Sequence, residues 1–273
     1  MPAEKKILPP SAFEHPLFLE VFADATHQGK TMFAKRLKDH LTDASIHAVL
    51  ARVESMRVVT ETREDEILIP TENIAQAEQL PGGVVGVLAP VFERIQNLKA
   101  GQALILDWPG GCGEHRLEGW AASGIGEMLA DRGVTAMSFF LTISVPDRMV
   151  ETRKAMALSA QVAPELPRVL VLNERLGGFA FTAGSQGAEA FKALMQEHGD
   201  RPVLKMPKIK GESFAHLQPL GMAARDLVTV DHRQLAKRLR SDDFLVRACI
   251  SYVAAWYQKT REELLRVLPF RSA

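Results

Sequence analysis

Cysteine is scarce in this chain: Cys112 and Cys249 are the only two in 273 residues. Two thiols so far apart cannot build a disulfide framework, and such scarcity fits a reducing compartment, so a cytoplasmic protein is expected. An excess of one charge is also missing. The 33 Lys and Arg are matched by 33 Asp and Glu, so the whole molecule carries no field that would draw in nucleic acid or acidic substrates, and any basic footprint is local. Long apolar runs are absent as well. No uncharged stretch exceeds Gln79 to Phe92, which Pro81, Gly82, Gly83 and Pro90 interrupt and which falls short of the roughly 18 to 20 residues that cross a bilayer. No membrane span is expected. The first ten residues hold Glu4, Lys5, Lys6 and the pair Pro9-Pro10 in place of the apolar centre of a secretion signal.

What is present is an ordinary globular balance, 47% apolar and 24% charged residues, enough burial potential to fold. The length fits one large α/β domain or two small ones. With no internal repeat, low-complexity block or Gly/Ser linker to mark a boundary, one domain over residues 1–273 is expected, its core about 16–230 and a helical extension about 231–273.

Apolar runs and helical spacing alternate along the chain. Pro16 to Phe22 reads as a strand, followed by a helix carrying Met32, Phe33, Leu37 and Leu41. Ile46 to Val53 is a second strand, the charged segment Thr60 to Glu66 an exposed loop or edge, and Thr71 opens a helix that Gly82-Gly83 divides from another ending near Leu98. Ala103 to Asp107 has the unbroken apolar character of a strand buried on both faces. Helices over 117–132, 148–159 and 188–198 then alternate with strands over 136–144, 168–172 and 202–206. The fold class expected is α/β, a doubly wound and mostly parallel sheet flanked by helices.

Two motifs carry chemistry. The first strand runs into Asp24-Ala25-Thr26-His27-Gln28-Gly29-Lys30-Thr31 and then a helix, the position and ending of a phosphate-binding P-loop. Gly29 lets the backbone approach phosphate, amides from Gln28 onward point at the anion, Lys30 reaches β- and γ-phosphate oxygens, and Thr31 offers a hydroxyl to Mg²⁺. Asp24 replaces the first glycine of the motif. The second signal is Asp107 at the end of an apolar strand, followed by Trp108-Pro109-Gly110-Gly111. A strand-end acid can hold a Mg²⁺-bound water, and the glycines let the next loop respond to a γ-phosphate. Asp107 is thus a catalytic and metal-site candidate with Lys30 and Thr31.

Together these residues resemble the ParA/MinD superfamily of P-loop ATPases, in particular its plasmid-borne StbC- and TraL-like branch. The resemblance implies that Asn173, ending the strand Val169 to Leu172, reads adenine, and that Pro207 lies in the other adenine-side loop. It also implies ATP and Mg²⁺ as cofactors, slow hydrolysis to ADP, a homodimer, a partner protein from a partition or conjugal-transfer system, and contact with DNA. The match departs at Ala25, where the family has the signature lysine that contacts nucleotide across its dimer. Two alternatives therefore stand beside it: a non-hydrolysing nucleotide-binding scaffold, and a small-molecule kinase or ligase on the same fold. His27 is a candidate stand-in for the missing cation.

Weaker candidates have plainer readings. Cys112 and His115 have metal-like spacing but supply two of the four ligands that zinc needs. Gly124-Ile125-Gly126 reads as a close helix contact, Glu54 as a solvated acid beside Arg52 and Arg57, and Asp147 as the cap of a helix starting at Arg148. Residues 233–273 carry nine Lys/Arg against Asp242, Asp243, Glu262 and Glu263. That excess reads either as a surface tracking nucleic-acid phosphate or as the wet face of a packing helix whose apolar stripe is Phe244, Ala248, Tyr252 and Ala255-Trp256.

Overall fold

The computed structural model describes residues 14–55, 65–220 and 222–268. Strand β1 (Leu17–Phe22) leads through the P-loop segment into α1 (Lys30–Asp43), β2 (His47–Glu54) and β3 (Glu66–Pro70). Three short helices, α2 (Thr71–Ala75), α3 (Gly83–Val87) and α4 (Ala89–Gln96), precede β4 (Gln102–Asp107). Then come α5 (Gly113–Ser123), α6 (Ile125–Asp131), β5 (Thr135–Ile143), α7 (Pro146–Val162), β6 (Arg168–Asn173), α8 (Gln186–His198) and β7 (Val203–Met206). Helices α9 (Ser213–Leu217), α10 (Ala224–Leu227), α11 (His232–Leu239) and α12 (Asp243–Val267) close the chain.

The seven strands form one sheet in the order β3-β2-β4-β1-β5-β6-β7, every pairing parallel. Alternation along β1 explains the layering. Phe18 and Phe22 enter a core with α3 to α8, whereas Leu17, Leu19 and Val21 enter a second core with α1 and the far half of α12. Each face of a parallel strand meets helices, which is why the sequence shows nearly continuous apolar runs. A third cluster, built from α9 to α12, holds Leu217, Leu235, Val246, Cys249 and Val253. Helix α12 belongs to both, since Trp256, Tyr257 and Leu264 pack on the sheet side. Among the described residues no helix is long and apolar enough to cross a membrane.

Four sequence expectations are corrected. Strand β3 occupies Glu66–Pro70 at the sheet edge; of the segment read as loop or edge, residues 60–64 lie outside the described ones. The helix expected over 117–132 is two, because Gly124 sits at φ 58°, ψ 44° and ends α5. Gly126 does make a close contact, but with a turn and not a helix: a Cβ there would lie 2.4 Å from the carboxylate of Glu165, beyond the end of α7. Asp147 is not a cap, since α7 already begins at Pro146 with Val145 before it; its charge lies in the first turn, facing the positive end of the helix dipole. The buried stripe of α12 is Val246, Cys249, Val253, Trp256, Thr260 and Leu264, while Phe244, Ala248, Tyr252 and Ala255 face solvent.

Candidate functional site

Strands β1 and β4 are neighbours at the centre of the sheet, paired from Leu17↔Ala103 to Val21↔Asp107. The chain leaves β1 toward β2 on one side and later returns to β5 on the other, so their carboxyl ends face the crevice where doubly wound sheets bind ligands. Register therefore sets Asp107 beside the segment that opens the P-loop. Gly29, at φ 85°, turns the chain into α1, putting Lys30 and Thr31 in that helix's first turn. A Cβ on Gly29 would come within 2.5 Å of Asn173 Nδ2. The position thus requires glycine for both its conformation and its surroundings.

Lys30 is buried, and its ammonium donates to the Ala25 carbonyl at 2.8 Å. Burial holds its pKa below the usual lysine value, against the opposing pull of Asp107 and Asp24. Asp107 is pushed up to about 6 by burial, opposed first by a hydrogen bond from Thr31 and then by Lys30. Its Oδ1 is buried and unpartnered among the described residues. An orphaned carboxylate oxygen near a threonine hydroxyl is a donor set that suits Mg²⁺, which takes one or two protein oxygens and fills its octahedron with water and phosphate. Among the described residues, no group of three or more His, Cys, Asp or Glu is placed to hold a metal ion. Cys112 and Cys249 are both buried free thiols.

The loop after Asp107 lies directly over the P-loop. The Gly111 amide donates to the Asp24 carbonyl at 2.6 Å, and a Cβ on Gly110 would sit 2.6 Å from the Thr26 nitrogen. Any side chain at 110 would push the two loops apart. The Asp24 carboxylate lies against Gly113 at the start of α5, where a Cβ would be 2.9 Å from Oδ1. Helix N-terminal amides favour an anion there. His27 adopts φ 58°, a left-handed conformation, and its carbonyl accepts from the Arg175 guanidinium.

Asn173 is buried at the end of β6. Its amide donates to the Gln28 carbonyl at 2.8 Å and accepts from the Arg175 backbone at 3.1 Å, so it ties β6 to the P-loop. One N–H and one lone pair of that amide remain for a ligand. Gln28 is itself buried, and both polar atoms of its side chain lack partners among the described residues. Gly29, Asn173, Arg175, Pro207, Phe214 and Trp256 line a cleft of about 520 Å³. Three sequence-predicted residues, Gly29, Asn173 and Pro207, therefore share one cleft, while Lys30 and Thr31, in the first turn of α1, both act on the Asp107 carboxyl at the end of β4. Glu54 pairs with Arg52 at 2.9 Å; Arg57 lies outside the described residues.

Two features escaped sequence reasoning. Arg175 braces the P-loop, and its signal was only a cation two residues past the Asn. Glu20 is fully buried within β1 and accepts from Trp108 Nε1 (2.8 Å), Trp120 Nε1 (2.9 Å), Arg116 Nε and Nη2 (both 2.6 Å) and Ser138 Oγ (2.7 Å). Trp108 follows Asp107 directly and Arg116 is in the first turn of α5, so one carboxylate fastens both ends of the loop over the P-loop. An acid inside the apolar run Leu19-Glu20-Val21 was the available clue.

No family model matches the chain, and no curated protein matches it in sequence. Solved structures do resemble it. A ParA family ATPase from Chlorobium tepidum TLS superposes with a TM-score of 0.50 at 11% identity, covering 88% of this chain and 98% of that one. A plasmid partition protein from Borrelia burgdorferi covers 70% of this chain and 89% of its own at TM-score 0.47 and 11% identity. A second structure from that organism, a plasmid partition protein bound to AMPPNP, has the same score and identity over 72% of this chain. The seven-stranded parallel sheet with flanking helices is a ParA-like P-loop NTPase fold.

Proposed function

We propose that this protein binds Mg·ATP in the pocket formed by residues 28–31 and Asp107, and acts as a slow ATPase of the ParA/MinD kind, in the cytoplasm, in plasmid partition or conjugal transfer. The observation that carries the reading is the meeting of Lys30, Thr31 and Asp107 at the carboxyl ends of adjacent central strands, where Thr31 and Lys30 both oppose the burial-raised pKa of Asp107. Adenine would occupy the cleft at Asn173 and Pro207. The assignment to the StbC- and TraL-like branch rests on the Asp107-Trp108-Pro109-Gly110-Gly111 motif.

Bound Mg²⁺ would neutralise β- and γ-phosphate oxygens, held by the Thr31 hydroxyl and, through water, by Asp107. Lys30 must exchange its bond to the Ala25 carbonyl for a phosphate oxygen, and its desolvated charge then acts with little solvent screening. Gly110 and Gly111 touch the P-loop, which supports a role for their backbone in sensing the terminal phosphate and its loss to water. The test is titration with a labelled non-hydrolysable ATP analogue with and without Mg²⁺. Binding should weaken at least tenfold in Lys30→Ala; unchanged affinity would overturn the assignment.

A second reading, a nucleotide-binding scaffold that no longer hydrolyses, is favoured by Ala25 and by the Lys30 ammonium resting on its carbonyl. Phosphate release that disappears in Lys30→Ala would exclude it. A homodimer and a partner protein remain part of the proposal, as does DNA contact through Arg233, Lys237 and Arg240, which are exposed along and just past α11.

A further inference from the structure

Helix α12 is apolar on two opposite sides. Its inner side is consumed by the cores, but over its first three turns the outer side presents Phe244, Leu245, Ala248, Ser251, Tyr252 and Ala255 to solvent. Phe244 is 78% exposed, Leu245 48% and Tyr252 42%. The positions recur at i, i+4 and i+8 along one rigid face whose opposite side is anchored by Val246, Cys249 and Val253. Farther along, the outer side turns polar at Gln258, Lys259 and Glu262. Apart from Leu265, 43% exposed near the end of the helix, the exposed large apolar side chains of α12 are confined to the part that stands over the third cluster, away from the sheet and the P-loop. A contiguous exposed stripe of this kind marks an interaction surface more often than scattered exposed residues do.

The rim of the stripe is cationic. Residues 244–261 include no acid, and their charges are Arg247, Lys259 and Arg261. Arg240 ends α11 next to the first turn, and the Lys210 ammonium stands 6.0 Å from the centre of the Tyr252 ring. The acids just before the stripe are engaged: Asp242 accepts from the Leu245 amide, and Asp243 lies 3.4 Å from His232.

We propose that this face docks an acidic amphipathic helix of a partner protein, with partner apolar residues at i, i+3/i+4 and i+7 seated between Phe244 and Tyr252 and its carboxylates on Arg240, Arg247 and Lys259. Apolar centre and charged rim are the usual anatomy of such an interface. A second copy of this chain fits poorly, because a two-fold pairing centred on Ala248 brings Arg247 close to its own counterpart with no acid on the stripe to meet it. Duplex nucleic acid would satisfy the cations and leave the apolar centre unmatched. A bilayer gains little from three large side chains spaced by Ala248, Ser251 and Ala255, whereas those small residues leave a low floor for a partner's side chain. The proposal is independent of nucleotide binding.

The test displays a library of random 20-residue helical peptides to the full-length protein, with counter-selection on Phe244→Asp. Both Phe244 and Arg247 are exposed, so Phe244→Asp and Arg247→Glu should keep the native circular dichroism. Enriched peptides should be net acidic with the stated apolar spacing, and each variant should weaken their binding tenfold or more in fluorescence polarisation. Parallel arms use anionic phosphatidylglycerol vesicles, duplex DNA and sedimentation of the protein alone. No enrichment, enrichment of neutral or basic peptides, or equal binding to the variants would overturn the proposal. So would vesicle binding, DNA binding or self-association that Phe244→Asp abolishes.

Discussion

Removing the Glu20 carboxylate tests how the loop over the P-loop is held. The side chain is fully buried and accepts five hydrogen bonds, two from the Arg116 guanidinium and one each from the Trp108 and Trp120 indoles and the Ser138 hydroxyl. Arg116 is also buried, with a further 3.2 Å bond to Ser159 and the Phe22 ring 4.8 Å from its guanidinium carbon. Taking away one partner of such a pair costs about 3–5 kcal/mol, because the other charge stays in a dry site. Each indole N–H left without an acceptor adds about 1–3 kcal/mol. Glu20→Ala therefore approaches the whole stability of an ordinary domain, about 5–15 kcal/mol, and Glu20→Gln is the readable variant. It keeps the volume and one acceptor oxygen but turns an amide toward the guanidinium, so we expect a loss of about 3 kcal/mol. Arg116→Met should lose a similar amount, and the double variant clearly less than the sum, with a coupling of at least about 2 kcal/mol. Urea unfolding followed by tryptophan fluorescence reads all four proteins, since Trp108 and Trp120 sit inside the network. Additivity within about 0.5 kcal/mol would show that the carboxylate and guanidinium do not act as a unit, and the reasoning would fail.

Gly29→Ala should both destabilise the protein and abolish nucleotide binding, because its Cβ meets Asn173 Nδ2 at 2.5 Å; wild-type affinity by isothermal titration would refute the placement. His27→Gly relieves a left-handed residue at φ 58° and should raise stability by about 1 kcal/mol in urea unfolding. Asp107 titrates near pH 6 in the folded protein, and metal competes with the proton. Mg²⁺-dependent nucleotide binding should therefore fall below about pH 6 and be flat above it, while an Asp107→Asn variant shows no such pH dependence. His40 is held down to about 3 by burial and by Arg36 and Arg261. Its contribution is present above the unfolded value of about 6.5 and is lost as pH falls toward 3, by about 2 kcal/mol between pH 7 and 5. Asp39 and Asp107, raised by burial, titrate in the opposite sense, so the effect is read as a difference: His40→Asn should gain about 2 kcal/mol on the wild type over that interval.

The sequence by itself determined the alternation of strand and helix, because parallel strands covered on both faces must be apolar throughout, and a run such as Leu104-Ile105-Leu106, closed by an acid and a Pro-Gly-Gly turn, is too short for a buried helix. It also placed Gly29, Lys30 and Thr31 at the junction of loop and helix after the first strand and Asp107 at a strand end, since turn and P-loop chemistry is local. Short β3 was hidden by its edge position beside a charged segment, and Gly124 looked like helix because its spacing gave no sign of a left-handed turn. Tertiary structure alone decided the rest. Strand order brought Asp107 to the P-loop, turned the Asp24 carboxylate toward α5, and gave Glu20 its five donors, from residues as distant in the chain as Ser138. It also chose which apolar stripe of α12 to bury. The stripe read from helical spacing was Phe244, Ala248, Tyr252 and Ala255-Trp256; the core took Val246, Cys249 and Val253 instead, because α9 to α11 lie on that side, leaving Phe244 and Tyr252 in water. Periodicity shows that a helix has a face to cover. Only the positions of its neighbours decide which face stays open.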